Sequence, residues 1–421
     1  MRSFQPLGIL HYRHSANSIQ ASMPDRSTAD GLGGSSWRRD QRRSGLEAFA
    51  ALAMPTSADE SWRYVEHGVD LDSLPLAGPT SRPMPAENGR EAAMVIADGW
   101  VGGGLDAYQK EQRPESLVPA TTDRFAAAHT AFATGAFVLE VPKGKTHPTV
   151  FIDVQATQPG TVTFPHVIVS VGENAEASVI MSTRSVEGDM VVVPRVELMV
   201  GDGGRLSFTT MQRFGTRTRS VSHQRAVIGK DATLRLGEVG LGGAFARLDL
   251  GVDLVGGGAS VDLVGVFFGE KEQTLDYRLV ITHVGRHTSS KVFLKGAVED
   301  QARSVFTGLL RIEKPAIRSH AFETNRNLVL SEGAAAHSVP NLEILCNDVV
   351  CGHGSSVGPL DPEHLYYLQS RGLSRPRAER VLVRGFFEEV LARLPAQEVA
   401  GDVRDALTDR FVAAQKEGRV R

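Results

Sequence analysis

From about residue 136 the chain alternates short β-branched apolar runs with glycine-centred turns, and the turns repeat. Val171-Gly172-Glu173-Asn174-Ala175 returns as Val200-Gly201-Asp202-Gly203-Gly204, as Ile228-Gly229-Lys230-Asp231-Ala232 and as Val255-Gly256-Gly257-Gly258-Ala259. Weaker copies follow at Val298-Glu299-Asp300-Gln301-Ala302 and Leu330-Ser331-Glu332-Gly333-Ala334. The first four copies step by 29, 28 and 27 residues. A fixed period of this size is the mark of a solenoid. No helical period lies between the copies, so the predicted architecture is mainly β. It is a right-handed parallel β-helix over residues 136–358, in which each coil covers the open edge of the one before. A β-sandwich is the competing fold, but its strands return every ~8–12 residues.

Helical patterns flank this core. In residues 41–135, Leu46, Phe49, Ala50 and Leu52 make a short apolar face. Ser57-Ala58-Asp59-Glu60 fits a capping box ahead of Trp62-Arg63-Tyr64, and Asp123 can cap a helix carrying Phe125, Ala128 and Phe132. A Pro/Gly-rich connector occupies residues 75–90. Residues 359–421 predict further helices. Asp361-Pro362-Glu363 reads as N-cap, first-turn proline and first-turn acid, with Gly372 as a stop. Ser374 caps a second helix with Val383, Phe387, Val390 and Leu394 on one face, and Pro395 opens a third with Val399, Val403, Leu407 and Phe411. Residues 1–40 are rich in Ser, Gly and Arg without a sustained apolar period, which predicts a disordered or poorly ordered extension. Met23 is an alternative start, and Asp25 and Asp30 weigh against a transit peptide.

Composition narrows the function. With a net charge of −3 across 421 residues, no broad basic field points to nucleic acid. No apolar run approaches the ~18 residues of a membrane span. The two cysteines, Cys346 and Cys351, make no disulfide framework, so a reducing cytoplasm is the expected compartment.

Three catalytic look-alikes fall on inspection. Gly144-Lys145-Thr146 ends like a phosphate-binding loop, but Leu139 stands where its leading glycine is needed. Gly354-Ser355-Ser356-Val357-Gly358 fits a nucleophile elbow, yet Pro359 and Pro362 deny it the helix it requires. Gly256-Gly257-Gly258 is a solenoid corner with no helix behind it. What remains is Cys346, Cys351 and His353: thiolates bind iron and sulfide, and imidazole can replace a thiolate on iron. The spacing is not a usual zinc pattern and a fourth ligand is missing, so one chain offers a partial site. The bland reading is two small apolar residues in the last coil and a surface histidine. A β-helix could also be a carbohydrate-active enzyme, but that needs paired carboxylates on one face, and Glu173, Asp202 and Asp231 fall at corners.

The string from Cys351-Gly352-His353-Gly354 through Gly358-Pro359-Leu360-Asp361 to Leu365-Tyr366-Tyr367-Leu368-Gln369-Ser370-Arg371-Gly372 resembles the C-terminal signature of the SufB/SufD family of iron–sulfur cluster assembly scaffolds. Supporting strings are Glu60-Ser61-Trp62-Arg63-Tyr64, His129-Thr130-Ala131-Phe132 with Val141-Pro142-Lys143-Gly144, Thr282-His283 with Thr288-Ser289-Ser290, Ala302-Arg303-Ser304-Val305-Phe306-Thr307-Gly308 and Glu323-Thr324-Asn325-Arg326-Asn327-Leu328. Together they cover roughly residues 41–395. Gly354 after the motif histidine, and no cysteine before Cys346, make the chain most similar to SufD.

The resemblance implies a non-enzymatic scaffold that pairs with a SufB-like partner and an ABC-type ATPase of the SufC kind. His353 and, more weakly, Cys351 become candidate transient ligands of a nascent Fe–S cluster at the partner interface. No cofactor is expected to stay on this subunit alone, and a role for flavin stays open on the residues. A self-paired homodimer acting as a binding module is the further alternative. The ATPase is expected to dock on the helices of residues 361–394. There Tyr366 with Tyr367, and Phe386 with Phe387, are adjacent aromatic pairs that one narrow helix face cannot bury together. Arg371, Arg375, Arg377 and Arg380 would form the rim.

Overall fold

The structure is a computed structural model that describes residues 23–80, 83–85, 90, 92–100 and 116–416. Its body is a β-solenoid of about eight turns. The strands are β1 (Met94–Ala97), β2 (Phe137–Val141), β3 (Val150–Ala156), β4 (Val162–Thr163), β5 (His166–Val171), β6 (Glu176–Ser185), β7 (Met190–Val192), β8 (Arg195–Val200), β9 (Arg205–Phe214), β10 (Thr218–Ile228), β11 (Thr233–Gly242), β12 (Phe245–Leu254), β13 (Ser260–Gly269), β14 (Thr274–His283), β15 (Ser289–Val298), β16 (Arg303–Ile312), β17 (Ser319–Val329), β18 (Ala335–Ile344) and β19 (Val349–Gly358). The chain alternates between two parallel sheets. One has nine strands in the order β1-β3-β6-β9-β11-β13-β15-β17-β19; the other runs β18-β16-β14-β12-β10-β8-β5-β2, with β4 and β7 beside it.

The repeat seen in the sequence is one corner of this coil. Its first four copies carry the chain from the ten-stranded sheet to the nine-stranded one. The two weaker copies, 298–302 and 330–334, sit at the opposite corner, where the chain returns. They are therefore a separate turn and not a continuation of the first column. The first corners carry one residue each in the left-handed region: Gly144, Asn174, Gly203, Asp231, Gly258, His287 and Arg318 in successive coils. As far as His287, glycine and a larger residue alternate, for a steric reason. Asn174 Oδ1 fills the place where a Gly203 Cβ would stand, and Asp231 Oδ1 does the same to Gly258. Gly256 answers a different need, because a Cβ there would collide with the backbone of Lys230 in the coil below.

Three apolar cores follow from the two sheets. The inner faces enclose one, including Leu198, Phe208, Leu236, Leu263, Ile281 and Leu294. The outer face of the ten-stranded sheet carries the N-terminal segments: α1 (Arg26–Gly31), α2 (Ser36–Ala51) and α3 (Arg124–Phe132). The outer face of the nine-stranded sheet carries α5 (Arg375–Leu391) and α6 (Ala400–Lys416), while α4 (Pro362–Ser370) precedes them. The helices thus cover the sides of the solenoid. They do not close its last coil, whose strands β18 and β19 are the terminal members of their sheets. No helix among the described residues is long and apolar enough to cross a membrane.

Two sequence expectations need correction. Residues 1–22 lie outside the described residues, but 23–40 are not disordered. Asp25 caps α1 by accepting from Thr28 N (2.8 Å), and Ser35 caps α2 by accepting from Arg38 N (3.2 Å). Buried Arg38 and Arg42 donate to Ala133 O (2.8 Å) and Ala131 O (3.0 Å) of the α3 end. A docking face made with arginines has no apolar period to read. Residues 41–135 are also less helical than expected: between α2 and α3 the described segments hold only the turns Glu60–Trp62 and Leu71–Ser73 and strand β1. The capping box does not form, because Asp59 accepts from Thr56 N (2.7 Å) instead of capping a longer helix. Trp62 is nonetheless buried, sandwiched near Phe125 and under the Arg247 guanidinium at 4.0 Å.

The α2–α3 contact is close enough to test. A Cβ on Gly45 would lie 2.6 Å from Ala131 N, against backbone that cannot swing away. Gly45→Ala is expected to destabilise the protein by about 1–3 kcal/mol in thermal or denaturant unfolding. Gly401→Ala in α6, where a methyl meets nothing within 4 Å, should be neutral or stabilise by up to ~1 kcal/mol.

Candidate functional site

The Cys351–His353 string, despite its glycines, is part of the last strand of the nine-stranded sheet. Residues Ser319–Leu328 of β17 pair in parallel with Val349–Gly358 of β19. None of Gly352, Gly354 and Gly358 takes a positive φ. The row of backbone hydrogen bonds from β17 outweighs glycine's weak strand preference.

Register then decides where the side chains face. In β17, Ser319, Ala321, Glu323, Asn325 and Asn327 are buried, and the residues between them are more exposed. Parallel partners share a face. Cys351 is paired with Ala321, and His353 with Glu323, so both point into the mouth of the solenoid. Cys351 is half-buried against the inner core, and His353 is exposed. Cys346 is a buried member of that core, as the bland reading of it has it. No group of three or more His, Cys, Asp or Glu among the described residues is disposed to hold a metal ion. The chain by itself presents a partial donor set.

Directly behind His353 lies a residue that the sequence did not single out. Glu323 is 3% exposed, and neither carboxylate oxygen has a hydrogen-bond partner among the described residues. Burial pushes its carboxyl up to about 7. Around the mouth, Phe322, Ile344, Leu345, Val350 and Val357 are exposed apolar side chains.

The expected ATPase surface divides. Helix α4 buries no residue; Tyr366 is 74% and Tyr367 55% exposed, with the Arg371 guanidinium 5.2 Å from the Tyr367 ring. Phe387, by contrast, is core, packed between α5 and the outer face of the nine-stranded sheet near Phe268. Phe386 is half-buried beneath the Lys295 ammonium at 4.3 Å and gives its carbonyl to Lys295 Nζ (2.8 Å). Both phenylalanines are used because the sheet offers a wide apolar face, so Phe387 is withdrawn as a docking anchor. Between α5 and α6 runs a groove of about 360 Å³ lined by Val381, Leu407, Phe411 and several arginines, including Arg377 and Arg384.

The corner acids serve the corners. Asp202 Oδ1 accepts from Lys230 N (2.8 Å), and Glu173 pairs with Lys143 Nζ (2.6 Å). Glu238 points inward beside Gln224; burial pushes it up to about 8, so it is protonated at neutral pH. A second titratable cluster lies between α3 and the ten-stranded sheet. Asp123 caps α3 and accepts from His223 Nε2 (2.9 Å). Glu197 accepts from His166 Nε2 (3.0 Å), Ser116 Oγ (2.8 Å) and Leu117 N (2.7 Å). Burial by itself would raise Glu197, but the His166 hydrogen bond, the Arg195 charge and the Leu117 N–H outweigh it and hold the carboxyl at about 2. Burial keeps His166 and His129 below the ordinary imidazole range, so both are neutral.

Comparison with known proteins now bears on this geometry. Residues 153–386 match the family described as "SUF system FeS cluster assembly, SufBD core domain". The chain belongs to the SufBD family. An iron–sulfur cluster assembly SufBD family protein of Mycobacterium tuberculosis is 37% identical over 364 residues, covering 83% of this chain and 87% of that protein. The iron–sulfur cluster assembly protein SufD of Escherichia coli is 24% identical, covering 85% and 89%. SufD of Bacillus subtilis is 29% identical over 282 residues, covering 66% and 64%. The matched region runs from β3 into α5 and contains the mouth with Cys351, His353 and Glu323. This SufBD chain is a SufD-like iron–sulfur cluster assembly protein.

The buried cluster sets an acid limit on the fold. A carboxyl held at about 2 when folded and near 4.5 when unfolded stabilises the fold above pH 4.5, and loses that contribution as pH falls towards 2. The size is on the order of 3 kcal/mol. The neutral histidines act in the same direction below about pH 6.5, since unfolding lets them take up protons. Glu197→Gln is expected to lower the melting temperature at pH 7 and to flatten its fall between pH 4.5 and 3. An unchanged acid limb would count against this assignment.

Proposed function

We propose that this SufBD chain is a non-catalytic scaffold subunit of the SUF machinery, pairing with a SufB-like partner and served by a SufC-like ABC ATPase. The observation that carries the reading is the uncovered last coil. Strands β18 and β19 are each ten residues long and end their sheets, with exposed Ile344, Val350 and Val357 along them. A long edge with exposed apolar side chains is an aggregation hazard unless another chain adds to it. Strand addition from a similar solenoid would continue both sheets. Such pairing would bury Cys351 and His353 at the joint, where the partner's donors complete a set that this chain leaves partial. Iron and sulfide are cargo there, and the subunit keeps no resident cofactor of its own. Flavin has no assigned place in this reading. The cytoplasm, with its reduced thiols, suits two free cysteines.

Helix α4 supplies the ATPase surface, with Tyr366, Tyr367 and Arg371 as anchors and the α5–α6 groove beside them. ATP-driven movement of the docked ATPase would then bias how the two scaffolds sit against each other. The same edges would also let two copies of this chain pair, and native mass spectrometry with and without the SufB-like partner separates the two assemblies. Corner acids already tied to neighbouring coils weigh against a carbohydrate-active enzyme.

Two measurements test the reading. His353→Ala should leave circular dichroism and partner pairing unchanged and reduce cluster maturation in cells; Cys351→Ser should be milder. Wild-type maturation with alanine at 353 would end the ligand role. Cutting the chain after Pro359 is a poor test of docking, because it would strip α5 and α6 from an apolar sheet face. The double change Tyr366→Ala with Tyr367→Ala leaves that face covered. It should weaken co-purification of the ATPase about tenfold or more without shifting the melting temperature. Full ATPase stoichiometry in that variant would move the docking site elsewhere.

A further inference from the structure

The inner face of the nine-stranded sheet changes character one coil before the mouth. Along β15 the inward positions are apolar or small: Val292, Leu294 and Gly296. Their partners on β17 are Glu323, Asn325 and Asn327. A polar layer at the end of a core is unremarkable where water or neighbours satisfy it. Asn325 does find a neighbour, donating from Nδ2 to Ser338 Oγ (2.9 Å). Glu323 and Asn327 do not, and Glu323 is the ionisable one: it is 3% exposed, and both oxygens lack a partner among the described residues. The facing strand has been cleared for it. Gly308 of β16 lies opposite, and a Cβ there would land on Glu323 Oε2. The carboxyl therefore occupies a space made by a missing side chain and gains no hydrogen bond by doing so. An apolar side chain would fill that space at lower cost. Such an arrangement points to a ligand that the carboxylate meets only some of the time.

Its neighbour says which ligand. Glu323 is the in-register partner of His353, and both face the same interior. Adjacent parallel strands are ~4.8 Å apart. An ion held about 2 Å from each of two donors needs them roughly 3–4 Å apart, which two side chains on neighbouring strands can reach. A carboxylate with an imidazole is a donor pair for a ferrous ion, not for a cluster held by thiolates. We propose that Glu323 is an iron(II) ligand that, with His353, forms a two-donor half-site beneath the terminal coil. It deepens the reading given above, since it rests on the open end receiving iron. The cover over Glu323 is thin: one coil, whose strands have no outer neighbour among the described residues.

The test is an anaerobic titration with ferrous iron, read by competition with a chromogenic chelator, on the full chain alone and on its complex with a SufB-like partner. Cobalt(II), followed by its visible d–d absorption, is the second probe. Wild type should bind saturably in at least one of the two forms. Glu323→Gln should weaken that binding at least about tenfold, as removal of a direct ligand requires. Its melting temperature should be unchanged or higher, because an unpartnered buried acid has been neutralised. Gly308→Ala keeps the carboxylate but takes its space, so it should weaken iron binding in the same direction and serves if Glu323→Gln does not fold. If His353→Ala weakens binding while both of these variants bind like wild type, the Glu323 ligand is overturned and the His353 reading stands. If His353→Ala also binds like wild type, the iron-receiving end falls with it. A lower melting temperature with unchanged affinity in Glu323→Gln would make the residue structural only, and failure of wild type to bind either ion would overturn the proposal.

Discussion

The unsatisfied backbone of a strand edge governs this molecule. In a parallel solenoid each coil's N–H and C=O groups are completed only by the coils above and below, so no coil is stable alone. The same pairing fixes register, and register fixes which side chains face in. Everything else is arranged around the two sheets that result. Their inner faces close one core, and their outer faces are broad enough to seat α2 and α3 on one side and α5 and α6 on the other. The flanking helices relieve the faces but not the final edge, and that edge is where the chain's thiol and imidazole are placed.

Much of the solenoid was legible in the sequence because its corners obey local sterics. A valine or isoleucine followed by glycine, then a left-handed residue, recurs wherever backbone must pass close over backbone. The parts that were hidden are those set by distant partners. Arg38 and Arg42 look like surface charge until the end of α3 is laid against them. Asp123 was legible as a helix cap, but its bond to His223 spans 100 residues. The glycines around His353 favour a turn by local preference, and they form a strand because β17 offers an edge to pair with. Phe386 and Phe387 showed correctly that α5 is aromatic; only the sheet behind the helix explains why Phe387 went inside. Glu323 opens one of the family-like strings, but burial without a partner cannot be read from residue type.

Three buried glutamates show how placement sets chemistry within one fold. Glu197, ringed by donors and near a guanidinium, stays ionised to about pH 2. Glu238, with an amide for company inside the core, holds its proton to about 8. Glu323, with neither charge nor donor, sits at about 7 from burial alone. The first is structural cement between helix and sheet. The second is a tolerated polar spot in an enclosed layer. The third has no hydrogen-bond partner among the described residues, and of the three it is the one at the mouth.

The alternation along the first corner has a consequence for how such a chain can grow. Gly144, Asn174, Gly203, Asp231, Gly258 and His287 take the left-handed position in turn, and Arg318 then breaks the alternation. The side chains of Asn174 and Asp231 each lie over a glycine. Within that run, duplicating a single coil would set Asn174 or Asp231 against a copy of itself in place of its glycine, or leave two bare corners with a gap between them. Duplicating a pair would preserve the interlock. The interlock is therefore local: it locks the coils from Gly144 to Gly258 two by two and is released towards the mouth, where Arg318 follows His287, so a coil added at that end meets no paired corner.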